Sequence, residues 1–228
     1  MPKGDIWRLK TEKQIRAVVF DFDGTLATLN INFPEMRKAV LDLIESYEIP
    51  VDALSDLFVL EMVDAAETLI SLKCPGEGND FVQKANSLIT TIEIEAAKKG
   101  KLIYGTRAML SNLKSRNIKT GVVTRNCQSA VTCVFPDINM YCDAVVTREA
   151  TRKVKPHPEH LLTVLKLLDV TPEYASMVGD HPMDIKIGND VGSFTIGVLS
   201  GYSTSNELLQ AGADIIIHTA ANIINVLP

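Results

Sequence analysis

The residues best suited to chemistry in this sequence are two aspartates separated by one position, Asp21 and Asp23. They close a short apolar run, and the alternation of a strand would place both carboxylates on one side while Phe22 points into the packing. Gly24 frees the main chain for a tight turn, and Thr25 can cap or hold that turn. Close carboxylates repel one another unless a cation joins them, so this spacing favours an oxygen-ligated Mg²⁺.

Three further polar groups lie at or near the ends of later apolar runs. In an open parallel sheet, ligands bind beyond the carboxyl ends of the strands, so we expect all four groups to meet at one site. The last group supplies additional acidic charge through Asp180 and Asp184. The three groups are Thr124-Arg125-Asn126, Lys155-Pro156 before a proline-started helix, and Gly179 to Asp184.

This combination of residues suits the transfer of a phosphoryl group. A carboxylate beside a metal can attack phosphorus and carry the group as an aspartyl phosphate, which makes Asp21 the candidate nucleophile. Asp23 could protonate the leaving oxygen and then take a proton from the hydrolytic water. The hydroxyl and amides at Thr124 and the ammonium of Lys155 would stabilise the charge on the phosphoryl oxygens.

The elements that must position these groups follow from the apolar runs. Short β-branched runs indicate buried strands, and the segments between most of them have helical spacing. Such alternation predicts a doubly wound α/β core with a parallel sheet and right-handed crossovers. The predicted strands are Ala17 to Phe22, Thr120 to Val123, Ala144 to Val146, Ser176 to Val178, Phe194 to Val198 and Asp214 to Ile217; the helices between them are Thr106 to Arg116, Ser129 to Val134, Pro158 to Leu168 and Ser205 to Ala211.

One interval breaks the alternation, because only helical patterns separate the first strand from the second. These patterns cover Pro34 to Tyr47, Leu54 to Leu72 and Phe81 to Lys98, with a clear break at Cys74 to Asn79. We therefore predict an α/β catalytic core formed by residues 1–29 and 102–228, and an all-helical unit inserted at residues 30–101.

Composition narrows the class of protein. Hydrophobic residues make up 46% and charged residues 22% of the chain, as in ordinary globular proteins. The net charge of -5 argues against nucleic acid or an anionic membrane as the main partner. Met1 to Gln14 contains no apolar stretch typical of a signal sequence, and the four cysteines lack zinc-ligand spacing. We expect a cytoplasmic protein with reduced thiols.

The four groups, in this order, resemble the motifs of the haloacid dehalogenase superfamily, in particular its phosphatases of the phosphoglycolate phosphatase type. The resemblance covers the chain from about Ile15 to the C-terminus. The matching segments are Asp21 to Leu26 (DFDGTL), Val122-Val123-Thr124, Lys155-Pro156 and Gly179 to Asp184 (GDHPMD).

This resemblance implies a Mg²⁺-dependent phosphatase that acts on a small phosphorylated metabolite. The first Asp of the family's first motif is nucleophile and metal ligand, and the second is the acid/base and binds the metal through its main-chain carbonyl. The helical insertion corresponds to the family's cap, which closes over the site and chooses the substrate. The implied metal ligands are Asp21, Asp23, Asp180 and Asp184, and we assign phosphate or substrate contacts to Gly24, Thr25, Arg125 and Asn126.

Several residues also have a structural interpretation. Asp184 could cap the helix that follows it, and Arg125 and Asn126 could merely start the next helix. His181 lies inside the fourth motif and could reach the site, whereas His157, His160 and His218 are expected to be structural or surface residues. Lys153 competes with Lys155, but the proline after Lys155 favours the latter. Arg37 and Lys73 could bind a substrate anion, although such charges usually form a solvated face.

Two other functions use the same residues. A sugar phosphomutase would return the phosphoryl group to a second hydroxyl, and a regulatory protein would bind phosphate without turnover. Release of halide is disfavoured because the family's dehalogenases do not need the second Asp or Mg²⁺. The insertion, where substrate choice is expected, contains no motif that names a substrate, and the sequence does not predict an oligomeric state.

Overall fold

The structure is a computed structural model that describes residues 14–227. The expectation for Met1 to Gln14 therefore lies outside the described residues, apart from Gln14. The strands of the described chain are β1 (Ala17–Phe20), β2 (Ala27–Thr28), β3 (Lys101–Leu102), β4 (Lys119–Val123), β5 (Ala144–Val146), β6 (Ala175–Gly179), β7 (Phe194–Val198) and β8 (Ile215–Ile217). The α-helices are α1 (Phe33–Ser46), α2 (Val59–Lys73), α3 (Gly78–Ala97), α4 (Thr106–Ser115), α5 (Gln128–Val134), α6 (Ile138–Tyr141), α7 (Pro158–Leu168), α8 (Pro182–Val191) and α9 (Ser205–Gln210).

Six of these strands form one parallel sheet in the order β5-β4-β1-β6-β7-β8. With these strands numbered along the chain, this is the 3-2-1-4-5-6 order of doubly wound dinucleotide-binding folds. The direction of winding reverses at β1, which pairs with β4 on one side and β6 on the other. The predicted α/β fold class is confirmed, and the carboxyl end of β1 lies at the position where such folds bind ligands.

The apolar sequence of β1 follows from its central position. All four of its residues are buried, because helices cover both faces of a doubly wound sheet. On one face, α7 packs closely against β4: a Cβ atom at Gly121 would lie only 2.5 Å from Cγ1 of Val164. The apolar side of α7, which includes Leu161, Leu165 and Leu168, is thereby held in the core.

The described chain divides into two compact units. One extends up to Leu29 and resumes at Gly100, and the other comprises Asn30–Lys99. The second unit contains α1, α2 and α3, and its buried residues recur at helical spacing, as in Met36, Val40 and Ile44 of α1. The ring of Tyr47 packs edge-on against Phe81 with centroids 5.5 Å apart.

Some element boundaries differ from the sequence prediction. β1 ends at Phe20 instead of Phe22, and α2 begins at Val59 because a separate 3-10 turn occupies Asp52–Leu54. β2 and β3, which were not predicted, form a two-residue antiparallel pair in the sheet-containing unit. Within residues 14–227, no helix combines the length and the apolar composition that crossing a bilayer requires.

Candidate active site

The end of β1 fixes the first aspartate of the site. The N–H of Asp21 donates to the carbonyl of Val178 in β6 at 2.8 Å, so the main chain of Asp21 remains attached to the sheet after the strand ends. Its side chain is only 12% exposed. The carboxylate therefore lies at the point where β1 and β6 diverge.

The turn after Asp21 packs against the fourth motif. Gly24 has φ +87°, a left-handed conformation that glycine adopts readily, and its N–H donates to the carbonyl of Ala27 at 2.7 Å. A Cβ atom at this position would lie 2.5 Å from Cγ of Asp180. The buried hydroxyl of Thr25 donates to Oδ1 of Asp180 at 3.3 Å. Glycine is thus required both for the turn and for the close approach of Asp180.

Three carboxylates and one ammonium meet at the carboxyl ends of the central strands. Asp21, Asp180 and Asp184 each offer an oxygen, and these oxygens all lie within 4.8 Å of one another. Nζ of Lys155 lies 2.6 Å from Oδ1 of Asp21 and 2.6 Å from Oδ1 of Asp184. Three negative charges and one positive charge leave an excess of two negative charges when all four groups are ionised.

Main-chain donors hold the two later aspartates in place. Oδ2 of Asp184 accepts the N–H of His181 at 3.1 Å, which completes a capping box at the start of α8. Its other oxygen is the one that faces Lys155, so Asp184 both caps the helix and belongs to the acidic group. Oδ2 of Asp180 accepts the N–H of Tyr202 at 3.0 Å.

Burial, together with the excess negative charge, shifts the pKa values in this group. Burial raises the pKa of Asp21 well above its ordinary value; Lys155 opposes this rise, and the charges of Asp184 and Asp180 add to it. Burial, followed by the charge of Asp184, raises the pKa of Asp180 to about 6. Burial also disfavours the charge of Lys155, but Asp184 and Asp21 together raise its pKa above the ordinary value. A divalent cation would offset both the burial and the mutual repulsion that raise the carboxyl pKa values.

The donor set fits Mg²⁺, which prefers carboxylate oxygens. The carboxylate of Asp23 is outside this set, and its Oδ1 accepts the N–H of Leu29 at 2.8 Å. β1 ends at Phe20, so Asp23 belongs to the turn after the strand and not to the strand itself. That its carboxylate faces the same spot as that of Asp21 remains a prediction. The assignment of its main-chain carbonyl as a metal ligand remains a prediction.

The end of β4 brings a hydroxyl and an amide together. The hydroxyl of Thr124 donates to Oδ1 of Asn126 at 2.8 Å and accepts the N–H of Asn126 at 3.2 Å. The guanidinium of Arg125 donates to the carbonyl of Lys155, which links the second motif to the third. Neither Arg125 nor Asn126 starts the next helix, since Cys127 is the N-cap of α5.

Comparison with known proteins identifies the family of this chain. The sequence profile of the haloacid dehalogenase-like hydrolases matches residues 18–198, which is most of the chain. The chain belongs to the haloacid dehalogenase-like hydrolase family. A haloacid dehalogenase-like hydrolase domain-containing protein of Arabidopsis thaliana is 31% identical over 183 residues, covering 80% of this chain and 70% of that protein.

One further relative of this family member and one solved structure match it over most of their lengths. The pyrophosphatase PpaX of Bacillus mycoides is 30% identical over 201 residues, covering 81% of this chain and 84% of the relative. The crystal structure of a hydrolase from Pseudomonas syringae superposes with a TM-score of 0.67 at 20% identity, covering 92% of this chain and 96% of that one. The latter likeness shows a shared fold.

In this haloacid dehalogenase-like hydrolase, the loop after β7 also contributes to the site, although the sequence prediction did not include it. The hydroxyl of Ser200 donates to the carbonyl of Gly24 at 2.7 Å, and a Cβ atom at Gly201 would lie 1.9 Å from Oδ2 of Asp180. With the N–H of Tyr202, three consecutive residues thus hold the first and fourth motifs. This loop could have been predicted, because it follows the carboxyl end of a predicted strand, as the first, second and fourth motifs do.

The histidines of the described chain have different environments. His181 is the N-cap of α8, and its Nδ1 accepts the N–H of Met183 at 3.1 Å. His160 is fully buried, and its Nδ1 accepts the N–H of Lys155 at 3.0 Å. His218 is exposed and lies after β8. His160 was predicted to be a structural or surface residue, and the sequence did not predict its contact with Lys155.

The two cations considered in the insertion are paired inside that unit. The guanidinium of Arg37 donates to the carbonyls of Ser55 and Leu57. Nζ of Lys73 lies 2.8 Å from Oε2 of Glu48 and also donates to main-chain carbonyls. These contacts give both side chains a structural role in the helical unit.

Proposed function

We propose that this protein is a Mg²⁺-dependent phosphatase that hydrolyses a small phosphomonoester through an aspartyl phosphate on Asp21. The observation that carries the proposal is the pairing of Lys155 with both Asp21 and Asp184, at 2.6 Å each, within a buried group of three carboxylates. Burying so much charge is costly unless it is compensated. In a phosphoryl-transfer site the three carboxylates would hold the metal and supply the nucleophile, and the ammonium would bind the phosphoryl group. Membership of the hydrolase family supports the same reaction.

Two aspartates would perform the bond changes. A carboxylate oxygen of Asp21 attacks phosphorus, the bond between phosphorus and the ester oxygen breaks, and Asp23 gives its proton to the leaving oxygen. Water then attacks the phosphoryl group on Asp21 and passes a proton to Asp23. Inorganic phosphate leaves, and both carboxyl groups return to their starting states. The hydrogen bond from Leu29 holds Asp23 in a fixed position for both proton transfers.

Other side chains would bind and orient the phosphoryl group. The hydroxyl of Thr124 would turn its single proton from Oδ1 of Asn126 to a phosphoryl oxygen while still accepting the N–H of Asn126. The ammonium of Lys155 would donate to the phosphoryl oxygens as well. We propose that Arg125 contributes by holding the main chain of Lys155. Gly24 and Thr25 would act on the phosphate site through their packing and hydrogen bond with Asp180.

The metal would be held by the carboxylates of Asp21, Asp180 and Asp184 and by the main-chain carbonyl of Asp23. When bound, Mg²⁺ supplies Lewis-acid stabilisation of the negative charge on the phosphoryl oxygens. Its binding would also offset the burial and repulsion that raise the pKa values of Asp21 and Asp180.

We also propose that the helical insertion is the substrate-selecting cap. All residues assigned to the phosphoryl chemistry lie outside Asn30–Lys99, so the insertion can vary without changing the reaction. Replacing the insertion with that of a relative should change the ranking of substrates by KM while phosphate release still depends on Asp21. A hybrid that folds but keeps the original ranking would contradict this role.

The test is phosphate release from a panel of small phosphomonoesters, including phosphoglycolate, hexose phosphates and nucleotides, with Mg²⁺ and with a chelator. We expect metal-dependent release that Asp21→Asn abolishes, because an amide cannot form the acyl phosphate. Asp190→Asn is the matched control, since this carboxylate forms a surface pair with Lys186. Full turnover by the Asp21→Asn variant would exclude the proposed mechanism.

Pyrophosphate is a second candidate substrate, favoured by the similarity to the PpaX pyrophosphatase. Pyrophosphate belongs in the same panel of substrates. A higher kcat/KM for pyrophosphate than for every monoester would identify it as the preferred substrate. Conversion of a hexose phosphate into its isomer without free phosphate would identify a mutase. A stable phosphoprotein without turnover would identify a regulatory protein.

A further inference from the structure

Lys155 occupies a segment where regular secondary structure does not fix the main chain. It lies in the turn that precedes α7, yet its Nζ must lie between two carboxylates. Both of its main-chain polar groups bind side chains. Its N–H donates to Nδ1 of His160 at 3.0 Å, and its carbonyl accepts from the guanidinium of Arg125.

His160 connects this turn to the rigid core. It is the third residue of α7, a helix whose apolar residues pack on the sheet, and it has no exposed surface. An N–H group without an acceptor in such a buried place would be costly, so Nδ1 of the imidazole satisfies the N–H of Lys155. The turn is thereby attached to the helix by a side chain five positions later.

The ring of His160 is suited to a permanent acceptor role. Burial lowers its pKa to about 3, and the positive charge of Lys155 lowers it as well, whereas the carbonyls of Val146 and Thr147 act in the opposite direction. The imidazole is therefore neutral near neutral pH. Because Nδ1 accepts a hydrogen bond, the ring proton resides on Nε2.

We propose that His160 is a positioning residue that sets the place of the Lys155 ammonium by holding the main-chain N–H of Lys155, an inference that rests on the phosphatase function proposed above. Release of this N–H lets the turn move, and the ammonium moves with it relative to Asp21 and Asp184. A displacement of about 1 Å in a catalytic group can lower the rate by about 10²-fold.

A purely structural role for His160 makes a different prediction. A buried ring that only fills space should be replaced best by an apolar side chain of similar size, whereas a positioning ring should be replaced best by a side chain with an acceptor at the Nδ1 position. His160→Asn places Oδ1 close to that position. His160→Leu removes the acceptor, and His160→Gln places its amide one carbon further out.

The experiment compares these three variants by two readouts. The first is kcat and KM for phosphate release from a monoester that the wild-type protein hydrolyses. The second requires no activity: the rate at which acetic anhydride labels Lys155 in metal-free protein, measured by mass spectrometry, reports whether the ammonium remains buried between its carboxylates. His218→Asn, at an exposed position, is the control. Thermal unfolding of every variant accompanies both readouts.

We expect His160→Leu and His160→Gln to lower kcat by about 10- to 100-fold with KM little changed, and to label Lys155 several-fold faster. For His160→Asn, kcat should remain within about threefold of the wild-type value, because the variant keeps a hydrogen-bond acceptor near the Nδ1 position. If His160→Leu does not fold, the Asn and Gln variants decide the question by themselves. Wild-type labelling in all variants, or a His160→Asn variant as impaired as His160→Gln, would overturn the proposal. If no substrate is hydrolysed, the labelling rates still decide the role of His160, while the phosphatase proposal fails separately.

Discussion

Nζ of Lys155 lies 2.6 Å from Oδ1 of Asp21, a residue 134 positions earlier in the chain. The same atom lies 2.6 Å from Oδ1 of Asp184, and all three side chains are almost completely buried. Buried charges of this kind are tolerated in a fold only while each has its partner, because removal of one partner leaves the other uncompensated. Lys155 is thus both a candidate catalytic group and the counter-charge that allows the acidic group to be buried.

Replacement of Lys155 by Met should therefore destabilise the metal-free protein by about 3 kcal/mol or more at pH 7, since the carboxylates lose their cation while volume is largely kept. The loss should be smaller at pH 5. The raised pKa values of Asp21 and Asp180 mean that protonation removes the uncompensated charge as the pH falls. Urea unfolding at both pH values measures the difference.

Lys186→Met is the control for this substitution, because Lys186 forms an exposed pair with Asp190 and such pairs contribute little. An equal loss of stability at pH 5 and pH 7 in Lys155→Met would show that packing, and not charge, explains the effect.

Gly24→Ala and Gly76→Ala form a matched pair of substitutions. Both glycines have positive φ, so each alanine should cost about 1 to 2 kcal/mol of conformational strain. A Cβ atom at Gly76 meets nothing within 4 Å, whereas one at Gly24 would lie 2.5 Å from the Asp180 carboxylate. Gly24→Ala should therefore destabilise by clearly more than Gly76→Ala and should abolish phosphate release, as thermal unfolding and the phosphate assay would measure. Equal stability losses in the two variants would contradict the close packing between the first and fourth motifs.

The sheet and the four motif groups could be predicted because each depends on local sequence. Buried parallel strands are apolar runs, as in β1, and the chain returns to the same edge of the sheet at each strand exit. The short pair β2 and β3 could not be predicted, because two residues cannot show an alternating pattern. The separate turn at Asp52–Leu54 was likewise absorbed into the helical pattern of α2.

The contacts that hold the site were harder to predict, because they join distant positions. The direction of Asp23 depends on where β1 ends, and that turn packs against Asp180, more than 150 positions later. The role of His160 depends on the path of the turn before α7, since periodicity alone identifies the residue as buried but not which group it binds. Ser200, in contrast, follows a predicted strand and could have been found by the same rule as the other groups.

Asp180 gives the metal-free protein a pH dependence with a definite sign. Its pKa is raised from 3.8 to about 6, so the folded state favours the neutral carboxyl group more than the unfolded chain does. The stability from this group is fully present below about pH 4 and is lost as the pH rises through about 6. Mg²⁺ binding requires the ionised form, so stabilisation by the metal should increase over the same interval.

Asp180→Asn separates these two effects. The amide is neutral at every pH, and both neighbouring contacts can persist, since Oδ1 can accept the N–H of Tyr202 and the hydroxyl of Thr25 can accept from the amide. Without metal, we expect the variant to unfold at a higher temperature than wild type at pH 7.5 but not at pH 4. With Mg²⁺, wild type should gain stability and the variant should gain little, because one ligand is lost. Calorimetry at the two pH values, with and without Mg²⁺ and with Asp190→Asn as control, checks both expectations. A variant that is less stable than wild type at pH 7.5 without metal would show that the ionised Asp180 does not destabilise the protein. A variant that keeps the full Mg²⁺ shift would show that Asp180 is not a metal ligand.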